Sequence, residues 1–216
     1  MRRNIDWSLY LVTDRPLSLG RPIEEIVWAA VEGGVTAVQL REKECSTREF
    51  VALARKLHPL LAPRGIPLLI NDRIDVALSA RADGVHIGQT DMPYPDARRL
   101  LGPDALIGLS VETAEQAAEA AAWDCDYLGV GPIFATATKP DAAPAWGLER
   151  FTALRTTSRH KLVAIGGLNA SNAAAVTAAG ADGIAVVSAI CSAPDPRAAA
   201  AGLCRLIQDS RVRNSR

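Results

Sequence analysis

The chain is predicted to fold as one α/β domain, a (β/α)8 barrel, and three observations in its 216 residues carry the prediction. Eight short β-rich apolar runs recur along it, and amphipathic or Ala-rich stretches of helical length separate most of them. The runs are nearly continuous in apolar residues instead of alternating, as parallel strands buried on both faces are. No Pro-, Gly- or Ser-rich linker divides the chain, and one domain of this length buries roughly 70–75% of its unfolded surface. Repeated strand-then-helix order implies right-handed crossovers, and eight such units are enough to close a barrel.

The elements follow in order. Strand Ser8–Thr13 leads into helix Pro22–Glu32, which has Pro near its start, and strand Ala37–Arg41 precedes helix Thr47–Leu61. There Thr47 reads as the N-cap, and Phe50, Leu53, Ala54 and Leu57 form an i, i+3, i+4, i+7 stripe. Strand Pro67–Asn71 and helix Ile74–Ala80 come next, then strand Gly84–Ile87 and helix Pro95–Leu101, and strand Ala105–Ser110 and helix Thr113–Ala122. Strand Tyr127–Val130 precedes the longest gap, 131–161, in which Gly147–Leu154 reads as a helix. Strand Leu162–Gly166, helix Ser171–Ala179, strand Gly183–Val187 and helix Asp195–Ile207 complete the series. The barrel is assigned to 1–209 and a polar, basic, disordered tail to 210–216. A doubly wound open sheet is the competing architecture. No Gly-x-Gly-x-x-Gly opens the first helix and no P-loop is present, so neither nucleotide signature supports it.

Charge narrows the function. Twenty-four Lys plus Arg balance 24 Asp plus Glu, so the chain lacks the broad basic face that nucleic acid or anionic lipid needs. Small anions remain open. The start Met1-Arg2-Arg3 runs into Asn4, Ile5 and Asp6 rather than an apolar signal segment, and no apolar run approaches a membrane span. Cys45, Cys125, Cys191 and Cys204 form no Cys-x-x-Cys pair and read as reduced thiols, core filler or bystanders, consistent with a cytoplasmic protein.

In a parallel barrel the chemistry collects where strands end. Strand two ends in Gln39-Leu40-Arg41-Glu42-Lys43, strand three in Asn71-Asp72-Arg73, strand four runs into Gly88-Gln89-Thr90-Asp91, and strand five ends at Ser110. Asp72 and Asp91 follow neighbouring strands, and two like charges about 4 Å apart cost on the order of 4 kcal/mol near a surface. A cation between them removes that cost, and oxygen-only ligands favour Mg²⁺. The competing reading pairs each Asp with an Arg or uses Asp72 as the cap of the next helix. Across the barrel, Gly166-Gly167 with Asn169, Ser171 and Ser188 marks the strand 7 and strand 8 position where barrels bind phosphate. The gap after Gly131 reads as a lid carrying Thr136, Thr138 and Lys139. His86 reads as a hydrogen-bonded strand residue before it reads as a base. His58 and His160 read as solvated, and Trp7, Trp28, Trp123 and Trp146 as packing.

These strand ends resemble thiamine-phosphate synthase over nearly the whole chain. The residues are Tyr10-Leu-Val-Thr13-Asp14, Gln39 to Lys43, Ile70-Asn-Asp-Arg-Ile-Asp75, Asp83-Gly-Val-His-Ile-Gly-Gln89 with Asp91, Gly129-Val-Gly-Pro-Ile-Phe134, Thr136 to Lys139, Ile165-Gly-Gly167 and Val187-Ser-Ala-Ile190. The resemblance implies a TIM-barrel transferase that joins 4-amino-2-methyl-5-(diphosphooxymethyl)pyrimidine to a thiazole ethyl phosphate, releasing diphosphate. It places Gln39, Leu40, Arg41, Glu42, Lys43, Asn71, Ser110 and Lys139 on the pyrimidine diphosphate, with Lys139, Arg41 and Ser110 assisting its departure. Thr136, Ala137, Thr138, Gly167, Val187 and Ser188 are placed on the thiazole phosphate, and Asp72 and Asp91 on one Mg²⁺ per subunit. Departures are Thr90, where the family commonly has an acidic residue, and Ala135, where it commonly has proline. The substrates are small molecules, with neither nucleic acid nor membrane as partner, and a homo-oligomer is compatible with the sequence. The rivals are the related thiazole tautomerase, a phosphosugar epimerase or isomerase, and a phosphate-ligand sensor without turnover.

Overall fold

The computed structural model describes residues 4–136 and 144–214. Its strands are β1 (Leu9–Val12), β2 (Ala37–Leu40), β3 (Leu68–Asn71), β4 (Gly84–Ile87), β5 (Leu106–Val111), β6 (Tyr127–Val130), β7 (Leu162–Ile165) and β8 (Gly183–Val186). All are parallel in sequence order, and β1 pairs with both β2 and β8, which closes the barrel. The helices are α1 (Ile23–Glu32), α2 (Thr47–Leu61), α3 (Ile74–Ala80), α4 (Tyr94–Leu101), α5 (Ala114–Ala120), α6 (Gly147–Thr157), α7 (Ala173–Ala178), the single turn α8 (Ser188–Cys191) and α9 (Pro196–Asn214). The barrel expectation holds for the fold, and the element order matches the sequence reading apart from α8.

Each strand divides its side chains by period two. Leu9, Leu11, Val38, Leu40 and Ile70 belong to the outer core, where strands pack on helices. Tyr10, Val12, Ala37, Leu69, Tyr127 and Val163 point into the barrel with Trp7 and fill it. The inward positions nearer the C-terminal ends of the strands are polar: Gln39, Asn71, His86 and Ser110. The runs of β2, β3, β4 and β5 therefore contain one polar residue each, on the face that becomes the floor of the site.

Three local expectations change. Ser46, not Thr47, caps α2: its hydroxyl accepts from Glu49 N–H while the Glu49 carboxylate accepts from Ser46 N–H, a reciprocal capping box. The tail assigned to 210–216 is helical as far as Asn214 in α9. Ser210 is buried and donates to the Ala174 carbonyl, and Arg211 donates to Ser8 Oγ and to the Asp182 carbonyl, so the last turns are held against α7 and β8. His160 is buried with Nε2 2.9 Å from the Trp123 carbonyl, and His58 lies 3.7 Å from Asp83, so neither is the solvated residue expected.

The thiols do conform. All four cysteines are free, and burial pushes the Cys125 thiol up to about 12 and Cys191 up to about 11, well removed from a reactive thiolate. Trp146 is buried at the start of α6, a packing residue with the Arg150 guanidinium 5.3 Å from its ring.

Candidate active site

A cavity of about 1000 Å³ opens at the C-terminal ends of the strands, with Gln39, Asn71, His86 and Ser110 in its lining. Tyr10 and Tyr127 lie at its base, and the loops after β2, β3, β4, β6, β7 and β8 supply the rim.

One half of the rim carries side-chain charge. Arg41 Nη1 lies 2.6 Å from Asp14 Oδ2, and Lys43 Nζ lies 2.6 Å from Asp72 Oδ2. Asp91 Oδ2 accepts from Gly88 N–H at 2.7 Å. Burial first, and the adjacent Asp72 carboxylate second, push the Asp91 carboxyl up, against the lowering effect of the Gly88 N–H. Asp72 itself sits at φ 62°, a conformation uncommon for residues other than glycine but one that aspartate tolerates. Its N–H donates to the His86 carbonyl at 2.8 Å, which ties the end of β3 to β4. The cap reading for Asp72 fails, since Arg73 holds the N-cap position of α3 and no side chain caps it.

Period two sorts the run after β2. Gln39, Arg41 and Lys43 reach the cavity, whereas Leu40 and Glu42 do not line it. Leu40 is fully buried in the outer core, and the Glu42 carboxylate accepts from Arg15 Nε and Nη2, each at 2.9 Å. The resemblance implies that Leu40 and Glu42 meet the substrate; their side chains point away from the cavity, which leaves only their backbone to do so.

The opposite half of the rim is built from backbone. Gly166 has φ 97° and Gly167 φ 67°, and a Cβ would lie 2.6 Å from Pro132 Cα at the first and 2.7 Å from the Ala135 carbonyl oxygen at the second. Asn172 Nδ2 donates to the Gly167 carbonyl and Asn172 Oδ1 accepts from Asn169 N–H, while Asn169 Oδ1 accepts from Ser171 N–H. The Asn169 and Ser171 amides are thus engaged by side chains. Thr136, Gly167, Val187 and Ser188 line the cavity, and Ser188 opens α8 instead of ending β8. Ala137, Thr138 and Lys139, with the centre of the segment expected to be a lid, lie outside the described residues.

Beneath the charged half runs a buried polar network that strand-end reasoning missed. Gln39 Nε2 donates to the Tyr10 hydroxyl at 3.1 Å, the Tyr10 and Tyr127 hydroxyls are 2.8 Å apart, Tyr127 OH is 2.7 Å from His86 Nδ1, and His86 Nε2 is 2.8 Å from Ser110 Oγ. Burial lowers the His86 pKa to about 4, opposed by the Asp72 charge. Glycines make room for the rings: a Cβ on Gly108 would lie 2.1 Å from Tyr127 Cζ, and one on Gly129 would lie 2.9 Å from His86 Cε1. The signal available in the sequence was the glycine inside β5 and the glycine inside β6, each marking a close approach.

A parallel barrel with ion-paired carboxylates on one side of its mouth and a glycine-built rim on the other defines an enzyme class, a (β/α)8 enzyme acting on small anionic substrates. The comparisons are specific. The family model described as "Thiamine monophosphate synthase" matches residues 9–190. The chain is 58% identical over 199 residues to the thiamine-phosphate synthase of Albidiferax ferrireducens, covering 92% of this chain and 91% of that one. It is 52% identical over 211 residues to the thiamine-phosphate synthase of Azorhizobium caulinodans, covering 98% and 100%. The solved thiamine phosphate pyrophosphorylase from Pyrococcus furiosus superposes with a TM-score of 0.88 at 40% identity, over 95% of this chain and 97% of that one. The chain belongs to the thiamine-phosphate synthase family. It is a transferase of thiamine biosynthesis, with the synthase function named for these relatives.

Proposed function

We propose that the chain joins 4-amino-2-methyl-5-(diphosphooxymethyl)pyrimidine to a (carboxy)thiazole ethyl phosphate, giving thiamine phosphate and diphosphate, together with carbon dioxide when the thiazole is carboxylated, by a dissociative, Mg²⁺-dependent route. The observation that carries this reading is the cluster of Lys43, Asp72 and Asp91 on one side of a cavity whose other side is Gly166, Gly167 and Ser188. Two anionic substrates need two different anion sites, and the two halves of the rim differ in this way.

The donor set suits Mg²⁺. Burial first and the adjacent Asp72 carboxylate second raise Asp91, and the acidic donors here are these two carboxylates, since no cluster of three or more His, Cys, Asp or Glu that could hold a metal occurs among the described residues. Mg²⁺ is commonly held by one or two carboxylates plus substrate phosphate oxygens, so Asp72 and Asp91 would hold it and the diphosphate would complete its shell. When bound, the ion supplies positive charge to a leaving diphosphate.

The chain's own groups do the rest. Gln39 and Asn71 sit on the floor to orient the pyrimidine. Arg41, Lys43 and Ser110 oppose the negative charge that grows as the C–O bond to diphosphate breaks, with Lys139 joining them from the lid. The thiazole nitrogen then captures the pyrimidine methylene cation, while Thr136, Ala137, Thr138, Gly167, Val187 and Ser188 hold the thiazole phosphate. Charge stabilisation of a leaving group requires no nucleophile or general base, which suits a floor of neutral hydrogen-bonding groups. Closing the lid would keep water from the cation.

A thiazole tautomerase would have no use for the ion-paired half of the rim, and the Lys43, Asp72 and Asp91 cluster favours the synthase. Among the described residues no helix is long and apolar enough to cross a membrane, and with the balanced charge this supports a cytoplasmic reaction on small molecules, without nucleic acid or membrane as partner. The test supplies both substrates with and without Mg²⁺ and follows diphosphate and thiamine phosphate. Equal release of the two products in Mg²⁺ is expected. Isomerisation of the thiazole without diphosphate release would overturn the reading in favour of the tautomerase.

A further inference from the structure

We propose that Gln39, Tyr10, Tyr127 and His86 form a one-way hydrogen-bond relay that fixes the Ser110 hydroxyl as a donor aimed into the cavity. The proposal rests on the reading above for the anion that receives this bond, and it adds three positioning residues, Tyr10, Tyr127 and His86.

The direction follows from counting protons. Gln39 Nε2 is a donor only, so the Tyr10 hydroxyl accepts from it. Tyr10 is almost fully buried, and its own proton has one acceptor among the described residues, the Tyr127 hydroxyl 2.8 Å away. Were Tyr127 to donate instead, the Tyr10 oxygen would accept twice and its proton, on an almost wholly buried hydroxyl, would have no acceptor among the described residues, a costly arrangement. Tyr10 therefore donates to Tyr127, and Tyr127 donates to His86 Nδ1 at 2.7 Å.

A His86 ring that accepts at Nδ1 carries its proton on Nε2 and donates it to Ser110 Oγ at 2.8 Å. With its oxygen engaged in accepting, Ser110 turns its proton toward the cavity that it lines. The opposite polarity would tie the serine proton to His86 and present a bare oxygen lone pair to an anion, which repels it. The relay thus converts the chemistry of a glutamine side chain on β2 into the orientation of a hydroxyl on β5.

The fold is built to hold these rings in place. Gly108 stands beside the Tyr127 phenol and Gly129 beside the His86 imidazole, each too close for a Cβ, and β4, β5 and β6 are in register there, with His86 opposite Gly108 and Ser110 opposite Gly129. The Tyr127 ring also packs on Trp7 at 4.3 Å, a contact that phenylalanine would keep.

The experiment reads the His86 tautomer in the intact wild-type chain labelled with ¹⁵N-histidine, at pH 7.5. The chain has three histidines, and the His86 signals are those lost in His86→Gln. A neutral ring protonated on Nε2 is expected. A ring protonated on Nδ1, or on both nitrogens, overturns the relay whether or not the chain makes thiamine phosphate. In Tyr127→Phe the Nδ1 partner is gone, so the tautomers should mix and kcat should fall about 10-fold, with KM for the pyrimidine diphosphate changed less than about 3-fold. Wild-type kcat and an unchanged tautomer in that variant would also overturn it. Absence of product in wild type, with the expected tautomer present, would count against the proposed reaction and leave the relay standing.

Discussion

The two halves of the cavity rim, each proposed above to hold a small anion, are built from different materials. From β2 to β5 the rim uses side-chain charge, with Arg41 on Asp14, Lys43 on Asp72, and Asp91 crowded by Asp72. From β6 to β8 it uses backbone, with Gly166 and Gly167 in left-handed conformations pressed against Pro132 and Ala135. Side-chain charges can be exchanged without disturbing the fold, because each sits beyond the end of its strand. A glycine rim cannot, because the close approach forms the rim itself. Function and stability are separable in the first half and fused in the second.

Substitutions should break that comparison in graded ways. The largest effect is expected from Asp72→Asn, which keeps the side-chain shape at a position with φ 62°, a conformation that asparagine tolerates well. Turnover should fall on the order of 100-fold while the unfolding midpoint stays near wild type, as steady-state assays and thermal melts would show. Gly167→Ala should do the reverse in kind. Its Cβ has to enter where φ is 67° and the Ala135 carbonyl oxygen is 2.7 Å away, so stability should drop by roughly 1–3 kcal/mol in urea titration, with KM for the thiazole phosphate rising.

The floor between the halves gives a pH signature. His86 has a folded pKa of about 4 against the ordinary 6.5, so the folded chain resists a proton that the unfolded chain takes up. Stability from this group is complete above pH 6.5 and is lost as pH falls toward 4, a loss on the order of 2 kcal/mol between pH 7 and pH 5. The slope should shrink in His86→Gln when urea midpoints of both proteins are compared across that range. The smallest effect belongs to Glu42→Gln. Its partner Arg15 is largely exposed, so stability should change by about 0.5–1 kcal/mol and turnover by less than about 2-fold. A large loss of turnover would place Glu42 in the site after all.

The sequence exposes the charged half more readily than the glycine half or the floor. Arg41, Lys43, Asp72 and Asp91 are polar residues directly after apolar runs, and chain order alone brings them to one rim. Gln39 and Asn71 were legible as the polar residues at the C-terminal ends of the apolar runs themselves. Leu40 and Glu42 were not separable from their neighbours until the strand phase was known, since a shift of one residue exchanges the two faces. Ser46 and Thr47 are adjacent hydroxyls, and only backbone geometry distinguishes the cap from the first helical residue. The Tyr10, Tyr127 and His86 network joins β1, β6 and β4, which are far apart along the chain and meet only because the barrel closes. The end of α9 depends on contacts of Ser210 and Arg211 with α7, β8 and Ser8, which its basic composition does not reveal.

The division of labour between the two halves is tested most directly by titrating inorganic diphosphate with Mg²⁺ into wild type, Asp72→Asn and Gly167→Ala in a calorimeter. Wild type should bind, Asp72→Asn should lose binding, and folded Gly167→Ala should bind with wild-type affinity. Retained affinity in Asp72→Asn together with loss in Gly167→Ala would contradict that division.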